Sequence, residues 1–392
     1  MFAPLLEAFI DSSRLPPPPP NKKPLVLWIR QGENEADFKD WLFYKILGQR
    51  YNLSRAPNDY VCYLGGHHRS LEELGRILKI PTKRIAYIGE NERIDFNVYD
   101  FGIGFDDLEF NDRYLRVPLY YQAIWWCSEI AITCANSPFK QAKLENLAFG
   151  PSKNSTPIDF RTTYPQIDSL VREQSDPFKR EFASFVASNI NAPVRNALYQ
   201  IFNTYKPVAG GGGVFNTIGS LVQNKREFLS GYKFNLCPEN SQGLGYTTEK
   251  IVDAYFAHTI PIYWGNPQVA KDFNPKSFVN VHDFEDFQEA LDFVRYLDTH
   301  KNAYLDMLYS HPLNIYGNKH RFYKDLSFSK ILSFLQNALE CPYIYHECTN
   351  LINLLYQEQN NEKQEAPKEL TGRQHLAIAF NKLLQKVRRV LT

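Results

Sequence analysis

The sequence is short of several features that mark whole classes of protein. Its formal charge is only +1, so no global field favours nucleic acid or an acidic polymer as a partner. No apolar run reaches the roughly 18 residues needed to span a bilayer. The N-terminal segment lacks the basic region and apolar core of a signal peptide. We therefore expect a cytoplasmic protein without a nucleic-acid partner.

Signatures of structural metal sites are also missing. The six cysteines include no C-x-x-C pair. Cys127/Cys134 and Cys341/Cys348 are each seven residues apart, which is a poor match to zinc-site spacing. We expect no bound metal and free thiols, as in a reducing compartment.

The chain does have enough length and apolar content for two cores. Its 392 residues are 44% hydrophobic, and this length favours two domains. Short apolar strands alternate with amphipathic helices, which predicts an α/β fold with parallel sheets. We place the boundary near residue 155, within a weakly periodic stretch. The predicted domains are 1–155 and 156–350, followed by a polar linker and basic tail at 351–392.

The end of the tail has the pattern of a basic amphipathic helix. Such a helix can lie on an anionic membrane surface. The alternative is a helix packed on the protein, because cations near a helix C-terminus also favour the helix dipole. We favour peripheral binding to an anionic inner-membrane surface. The apolar positions are Leu376, Phe380, Leu383, Leu384, Val387 and Leu391, and the basic ones are Lys382, Lys386, Arg388 and Arg389.

A strand–loop–helix–strand pattern occupies residues 233–267. Phe234 to Cys237 and Ile260 to Trp264 are short apolar strands. The helix between them has apolar residues four positions apart, and Thr247 is its predicted N-cap. A unit of this length predicts parallel strands joined by a right-handed crossover.

Polar side chains gather where the first of these strands ends. Asn240, Tyr246, Glu249 and Lys250 lie in the loop or in the first helical turn. Ligands of open parallel sheets bind at this end, and free N–H groups at a helix N-terminus suit a phosphate. The alternative is an ordinary turn with a solvated Glu–Lys pair.

Four consecutive glycines occupy positions 210–213. No Gly-Lys-Ser/Thr follows them, so they are not a Walker-type phosphate loop. We interpret the run as a flexible lid or hinge.

The stretch FNLCPENSQGLGYTTEK, followed by DAYFAHTIPIYWGNP, resembles the donor-binding signature of the α-1,3/1,4-fucosyltransferases. Segments at 87–92, 103–121, 182–199 and 269–284 also resemble the bacterial, Helicobacter-type Lewis-antigen enzymes. The resemblance implies a GT-B fold, in which two Rossmann-like domains face a cleft. It also implies an inverting transfer of L-fucose from GDP-fucose.

The resemblance implies roles for individual donor-site residues. Arg195 and Lys250 match the pair that binds the donor diphosphate. Asn240 and Tyr246 match further contacts to phosphate or ribose. Glu249 matches the residue that holds ribose or fucose hydroxyls.

Glu90 matches the family's proposed general base. It follows a strand predicted at 84–89, and we expect it to be partly buried, as suits a catalytic base. Glu92 lies two residues further on, and the strand pattern does not decide between the two carboxylates.

No Asp-x-Asp triplet, the usual signature of metal-dependent glycosyltransferases, occurs in the chain. Charge on the departing diphosphate is therefore expected to be balanced by side chains and helix ends. We expect no required cofactor, with a divalent metal at most stimulatory.

The expected acceptor is the 3-OH of N-acetylglucosamine or glucose in N-acetyllactosamine-type or lactose-type oligosaccharides. Such transfer would build Lewis x structures on lipopolysaccharide O-antigens. Three alternatives stay open: α-1,4 or mixed linkage giving Lewis a/b structures, a different nucleotide-sugar transferase of the same architecture, and a non-catalytic glycan-binding protein.

Overall fold

The computed structural model describes residues 5, 8, 12, 15–30, 41–55, 62–68, 70–124, 176–316, 319–320 and 326–345. Within these ranges the chain forms two parallel β-sheets connected through helices. The predicted α/β class with two Rossmann-like sheets is therefore confirmed. The predicted boundary near residue 155 and the linker and tail at 351–392 lie outside the described residues.

In the described part of the chain, the first sheet has six strands. Its elements are β1 (Lys23–Arg30), α1 (Leu42–Gly48), β2 (Tyr51–Arg55), β3 (Cys62–Gly66), α2 (Leu71–Ile77), β4 (Lys83–Tyr87), β5 (Phe101–Gly104) and β6 (Tyr114–Arg116). The strand order is β2-β1-β3-β4-β5-β6, and every neighbouring pair is parallel. Strands β3, β4 and β5 are almost entirely buried, as expected of strands covered on both faces.

The second sheet has five strands within the described ranges. Its elements are β7 (Glu181–Phe185), α3 (Pro193–Asn203), β8 (Val208–Gly210), α4 (Lys225–Ser230), β9 (Tyr232–Leu236), α5 (Glu249–Phe256), β10 (Ile260–Tyr263), β11 (Val279–Asn280), α6 (Phe287–Thr299) and α7 (Lys301–Tyr309). The order is β11-β10-β9-β7-β8, again with parallel neighbours. Strand order reverses between β7 and β9, so their carboxyl ends form the switch point of this sheet.

The strand–helix–strand unit predicted at 233–267 is confirmed. β9 and β10 are parallel, with Phe234 opposite Ile260, and the apolar face of α5 is buried. The predicted N-cap is wrong by one residue, because Thr248 precedes the helix and makes no capping bond. The Thr247 hydroxyl instead accepts a hydrogen bond from the Asn266 amide at 3.1 Å.

The last described helix lies against the first sheet. The centroid of its Phe334 ring lies 6.2 Å from that of Phe101 on β5. Lys83 donates a hydrogen bond to the Leu339 carbonyl of this helix at 2.9 Å. The chain therefore returns from the second sheet to the first. The remaining elements are the antiparallel pair β12 (Ile315–Tyr316) and β13 (Lys319–His320), and α8 (Phe328–Glu340).

A largely buried ion pair also connects the two sheets. Arg116, at the end of β6, binds Asp272 through both terminal nitrogens, at 2.6 and 3.2 Å. The Arg116 Nε lies 2.8 Å from Asp107. Bidentate pairs of this kind fix orientation as well as contributing energy.

The glycine run at 210–213 is packed rather than hinged. A Cβ at Gly210 would lie 1.6 Å from the Phe215 carbonyl oxygen. One at Gly212 would lie 2.2 Å from the Ala187 carbonyl oxygen. Glycine is needed here because backbones approach closely, so the interpretation as a flexible lid is wrong.

Candidate active site

A pocket opens at the switch point of the second sheet, outside the carboxyl ends of β7 and β9. Three cationic side chains line it: Arg195, Lys225 and Lys250. None of the described residues that line it carries a carboxylate. The pocket is therefore suited to a polyanion such as a diphosphate.

Arg195 is held rigidly at the edge of this pocket. Pro193 starts α3 with the fixed φ that favours a first turn, which places Arg195 two residues into the helix. Its Nη1 donates to Asn240 Oδ1 at 2.6 Å, and its Nη2 donates to the Asn189 carbonyl. The buried Nε has no hydrogen-bond partner among the described residues.

Lys250 is held in place by the fully buried carboxylate of Glu239. Glu239 accepts hydrogen bonds from the Thr248 amide at 2.7 Å, the Thr248 hydroxyl at 2.8 Å and the Lys250 ammonium at 2.9 Å. Burial acts to lower the pKa of Lys250, but Glu239 and Glu249 outweigh it and raise that pKa above its usual value. Lys250 therefore stays charged.

Lys225 reaches the same pocket from α4. Its ammonium lies 2.8 Å from Asp253 on α5, and Arg226 lies 2.9 Å from the other oxygen of that carboxylate. The packing of α4 on α5 thus brings in a cation from a different part of the chain.

Glu249 and Tyr246 lie beside the cluster, Glu249 exposed and Tyr246 buried. Glu249 is 48% exposed, with its carboxylate 3.3 Å from Lys250. The ring of Tyr246 packs 5.4 Å from Phe105 of the first sheet. Burial raises the pKa of Tyr246 to about 12, and the carboxylates of Glu239 and Glu90 add to the effect.

The loop after β9 touches the first sheet closely. Gly245 has φ +75°, and a Cβ there would lie 2.6 Å from the Phe105 carbonyl oxygen. Asn91 donates to the Ser241 hydroxyl at 2.9 Å, and Arg93 donates to the Leu244 carbonyl at 3.1 Å. The segment that carries Glu90 is therefore bound to the loop after β9.

The two candidate bases differ in their surroundings. Glu90 is exposed, so its expected partial burial is wrong in this structure. Its charge nevertheless helps to raise the pKa values of Tyr87 and Tyr246, which places it near the loop after β9. The Glu92 carboxylate instead lies 3.5 Å from His67.

The structure brings the six predicted site residues to one region. Arg195 contacts Asn240, Lys250 contacts Glu249, and Tyr246 interacts electrostatically with both Lys250 and Glu90.

Sequence reasoning missed Glu239 and Lys225, and it expected a phosphate at the start of α5. Glu239 already accepts the Thr248 N–H at that position. A carboxylate directly after a buried strand was a usable signal for Glu239. No local pattern pointed to Lys225, because helix packing places it there.

Two family models match the chain. The Alpha-(1,3)-fucosyltransferase FucT N-terminal domain matches residues 32–123. The Glycosyltransferase family 10 (fucosyltransferase) C-terminal model matches residues 177–332.

Individual relatives agree with these models. The chain is 51% identical to the alpha-(1,3)-fucosyltransferase FucT of Helicobacter pylori, over 88% of this chain and 73% of that protein. It is 37% identical to alpha-(1,3)-fucosyltransferase B of Drosophila melanogaster, over 22% of this chain and 20% of that protein. Two crystal structures of an alpha1,3-fucosyltransferase, one with GDP-fucose and one with GDP, are each 48% identical. They superpose with TM-scores of 0.77 and 0.78, covering 88% of this chain and 99% of theirs.

Proposed function

The chain belongs to the glycosyltransferase family 10 fucosyltransferases, and from this premise we infer that it is an α-1,3-fucosyltransferase that takes L-fucose from GDP-fucose. The observation that carries the donor assignment is the pocket with Arg195, Lys225 and Lys250 at the switch point of the second sheet. We propose that the diphosphate of GDP-fucose binds there.

The roles of the donor residues follow from their contacts. We propose that the Arg195 guanidinium and the Lys250 ammonium, which line the pocket, donate to the phosphate oxygens. Asn240 orients Arg195 through its side-chain oxygen. We propose that Glu249 and Tyr246, which lie beside Lys250, contact the sugar portions of the donor.

We propose that Glu90 is the general base. The acceptor hydroxyl attacks the anomeric carbon of fucose on the face opposite the diphosphate, and its proton passes to the Glu90 carboxylate. As the new glycosidic bond forms, the bond between that carbon and the diphosphate oxygen breaks and GDP leaves. The proximity of Glu90 to the loop after β9 supports this role over Glu92, which lies beside His67.

Fixed cations provide the charge stabilisation that a metal ion provides in other glycosyltransferases. Preorganised charges in a partly desolvated pocket stabilise a developing anion without rearranging during the reaction. We propose that transfer proceeds without a required metal cofactor, and that a divalent ion at most stimulates it.

We propose N-acetyllactosamine-type oligosaccharides, including those of lipopolysaccharide, as acceptors, with fucose added to the 3-OH of N-acetylglucosamine or glucose. In the part of the chain that the structure describes, no helix is long and apolar enough to cross a membrane. Binding of the basic segment at 376–391 to an anionic inner-membrane surface is a proposal from sequence, because this segment lies outside the described residues.

Donor identity is tested by competition. Transfer from GDP-fucose is measured with increasing GDP or UDP. GDP is expected to inhibit far more strongly, because the site must fit the guanine as well as the diphosphate. Equal inhibition by UDP would contradict the donor assignment.

The base is tested by Glu90→Gln, with Glu92→Gln as the matched control. A positioned general base contributes about 10²- to 10⁴-fold, so Glu90→Gln should lower kcat by roughly that factor while GDP affinity is unchanged. Glu92→Gln should keep most of its activity. Turnover of Glu90→Gln at the wild-type rate would exclude Glu90 as the base.

A further inference from the structure

Glu239 is a fully buried carboxylate next to the donor pocket but not among the residues that line it. Its two oxygens accept three hydrogen bonds, from the amide and hydroxyl of Thr248 and from the ammonium of Lys250. The Thr248 hydroxyl also lies 2.8 Å from the Lys250 ammonium. Lys250 is thus held by the Glu239 and Thr248 oxygens, with the exposed Glu249 carboxylate at 3.3 Å.

The backbone is built to hold Glu239 in this place. Its N–H donates to the Trp264 carbonyl at 2.8 Å, which continues the β9–β10 ladder past the strand end. Gly265 follows with φ +152°, and a Cβ there would lie 2.5 Å from Glu239 Cγ. Only glycine leaves room for the Glu239 side chain to pass under the loop and reach Lys250.

We propose that Glu239 is a positioning residue that holds the Lys250 ammonium, charged and correctly placed, for the donor diphosphate. The proposal rests on the proposed function, because it takes the pocket to be the diphosphate site. Glu239 itself does not touch the donor. It acts through Lys250.

Two physical effects of Glu239 predict opposite outcomes. As a negative charge near the pocket, it should repel a diphosphate, so that neutralising it would tighten GDP binding. As a clamp, it removes the rotamer freedom that a long lysine side chain would otherwise lose on binding. Together with Glu249, which lies 3.3 Å from the ammonium, it also raises the pKa of Lys250 against the lowering effect of burial.

The second effect should dominate, because Glu239 is neutralised locally by the ammonium that it contacts, while the ammonium remains at the pocket surface. Glu239→Gln keeps the shape but removes the charge. We expect GDP affinity to fall about tenfold near neutral pH, the lower end of the range for one charge-assisted hydrogen bond, because Lys250 is still present but less well positioned. Without Glu239 the pKa of Lys250 should fall, although Glu249 still opposes the fall, so the loss of affinity should be larger at alkaline pH than near neutral pH.

The experiment is calorimetric titration of the full-length protein with GDP at about pH 7.5 and about pH 9.5, for wild type and Glu239→Gln. Asp298→Asn is the matched control, because Asp298 is an equally buried carboxylate that pairs with Lys206 and Lys233 away from the pocket. It should lower the melting temperature without changing the pH dependence of GDP binding. A merely structural role of Glu239 would give the same result as this control.

Further variants separate the inference from the proposed function. Lys250→Met should bind GDP weakly, and adding Glu239→Gln to it should cause no further loss, because Glu239 acts through Lys250. Glu239→Asp keeps the negative charge but moves the carboxylate away from Lys250, so GDP affinity should fall while its pH dependence stays that of the wild type. This variant provides the test if Glu239→Gln does not fold.

Tighter or unchanged GDP binding by Glu239→Gln, unchanged affinity of Glu239→Asp, or additive losses in the double variant would each overturn the positioning role. GDP binding by Lys250→Met at wild-type affinity would instead overturn the donor site.

Discussion

Replacing Arg195 by methionine tests the donor pocket with little disturbance elsewhere. Two terminal nitrogens of the guanidinium are already bound to Asn240 and to the Asn189 carbonyl. The buried Nε–H is the group without a partner among the described residues. Its removal therefore deletes one donor to the diphosphate together with the positive charge, and leaves no buried charge uncompensated.

The structure sets the size of the effect. A hydrogen bond to a charged group is worth about 1.5–3 kcal/mol, and each 1.4 kcal/mol is tenfold in affinity. Arg195→Met should therefore weaken GDP binding by about 10- to 150-fold. Asn240→Ala should weaken it less, and should add little to Arg195→Met if Asn240 acts through Arg195.

Calorimetric titration with GDP measures both effects, and melting temperatures check that the variants are folded. Arg295→Met is the control, because Arg295 lies on α6 in an exposed pair with Asp292, and such pairs contribute about 0–1 kcal/mol. Its GDP affinity should match the wild type. Wild-type affinity of Arg195→Met would refute the assignment of this pocket to the diphosphate.

Two further predictions concern the contacts that hold the sheets and their loops together. Asp272→Asn removes one partner of the pair with Arg116 and leaves a largely buried arginine underpaired, so the free energy of unfolding should fall by about 3 kcal/mol in urea titrations; a change below about 0.5 kcal/mol would contradict this. Burial raises the pKa of Asp106 to about 6, although Arg93 opposes it. Protonated Asp106 therefore contributes stability that is complete below about pH 4 and is lost as the pH rises through about 6. Asp106→Asn should make the free energy of unfolding less dependent on pH in this range. An unchanged pH dependence would contradict the raised pKa of Asp106.

Patterns local in sequence predicted the central unit correctly. The short apolar runs of β9 and β10, which are almost continuously buried, and the four-residue spacing in α5 are properties of short segments, so the strands, the helix and their parallel pairing follow from them. The same holds for the polar residues at the carboxyl end of β9. Lys250 lines the pocket and Asn240 binds Arg195 at its edge, because parallel strands end at one edge of a sheet.

Features that depend on contacts between distant segments were not predictable in this way. The burial of Glu239 depends on the space left by Gly265, just after β10. The position of Lys225 depends on the packing of α4 on α5. The Thr247 hydroxyl accepts a hydrogen bond from Asn266 instead of capping α5. The glycine run is packed closely against neighbours that its own sequence does not reveal.

The central claim is fucose transfer at this site, and the most direct measurement is transfer from GDP-fucose to N-acetyllactosamine with excess chelator present, followed by linkage analysis of the product by NMR. The account predicts a product with fucose α-1,3-linked to N-acetylglucosamine, formed at a rate that the chelator does not abolish. An α-1,4 linkage would contradict the acceptor assignment. Activity lost with the chelator and restored by a divalent ion would contradict charge stabilisation by Arg195, Lys225 and Lys250 alone.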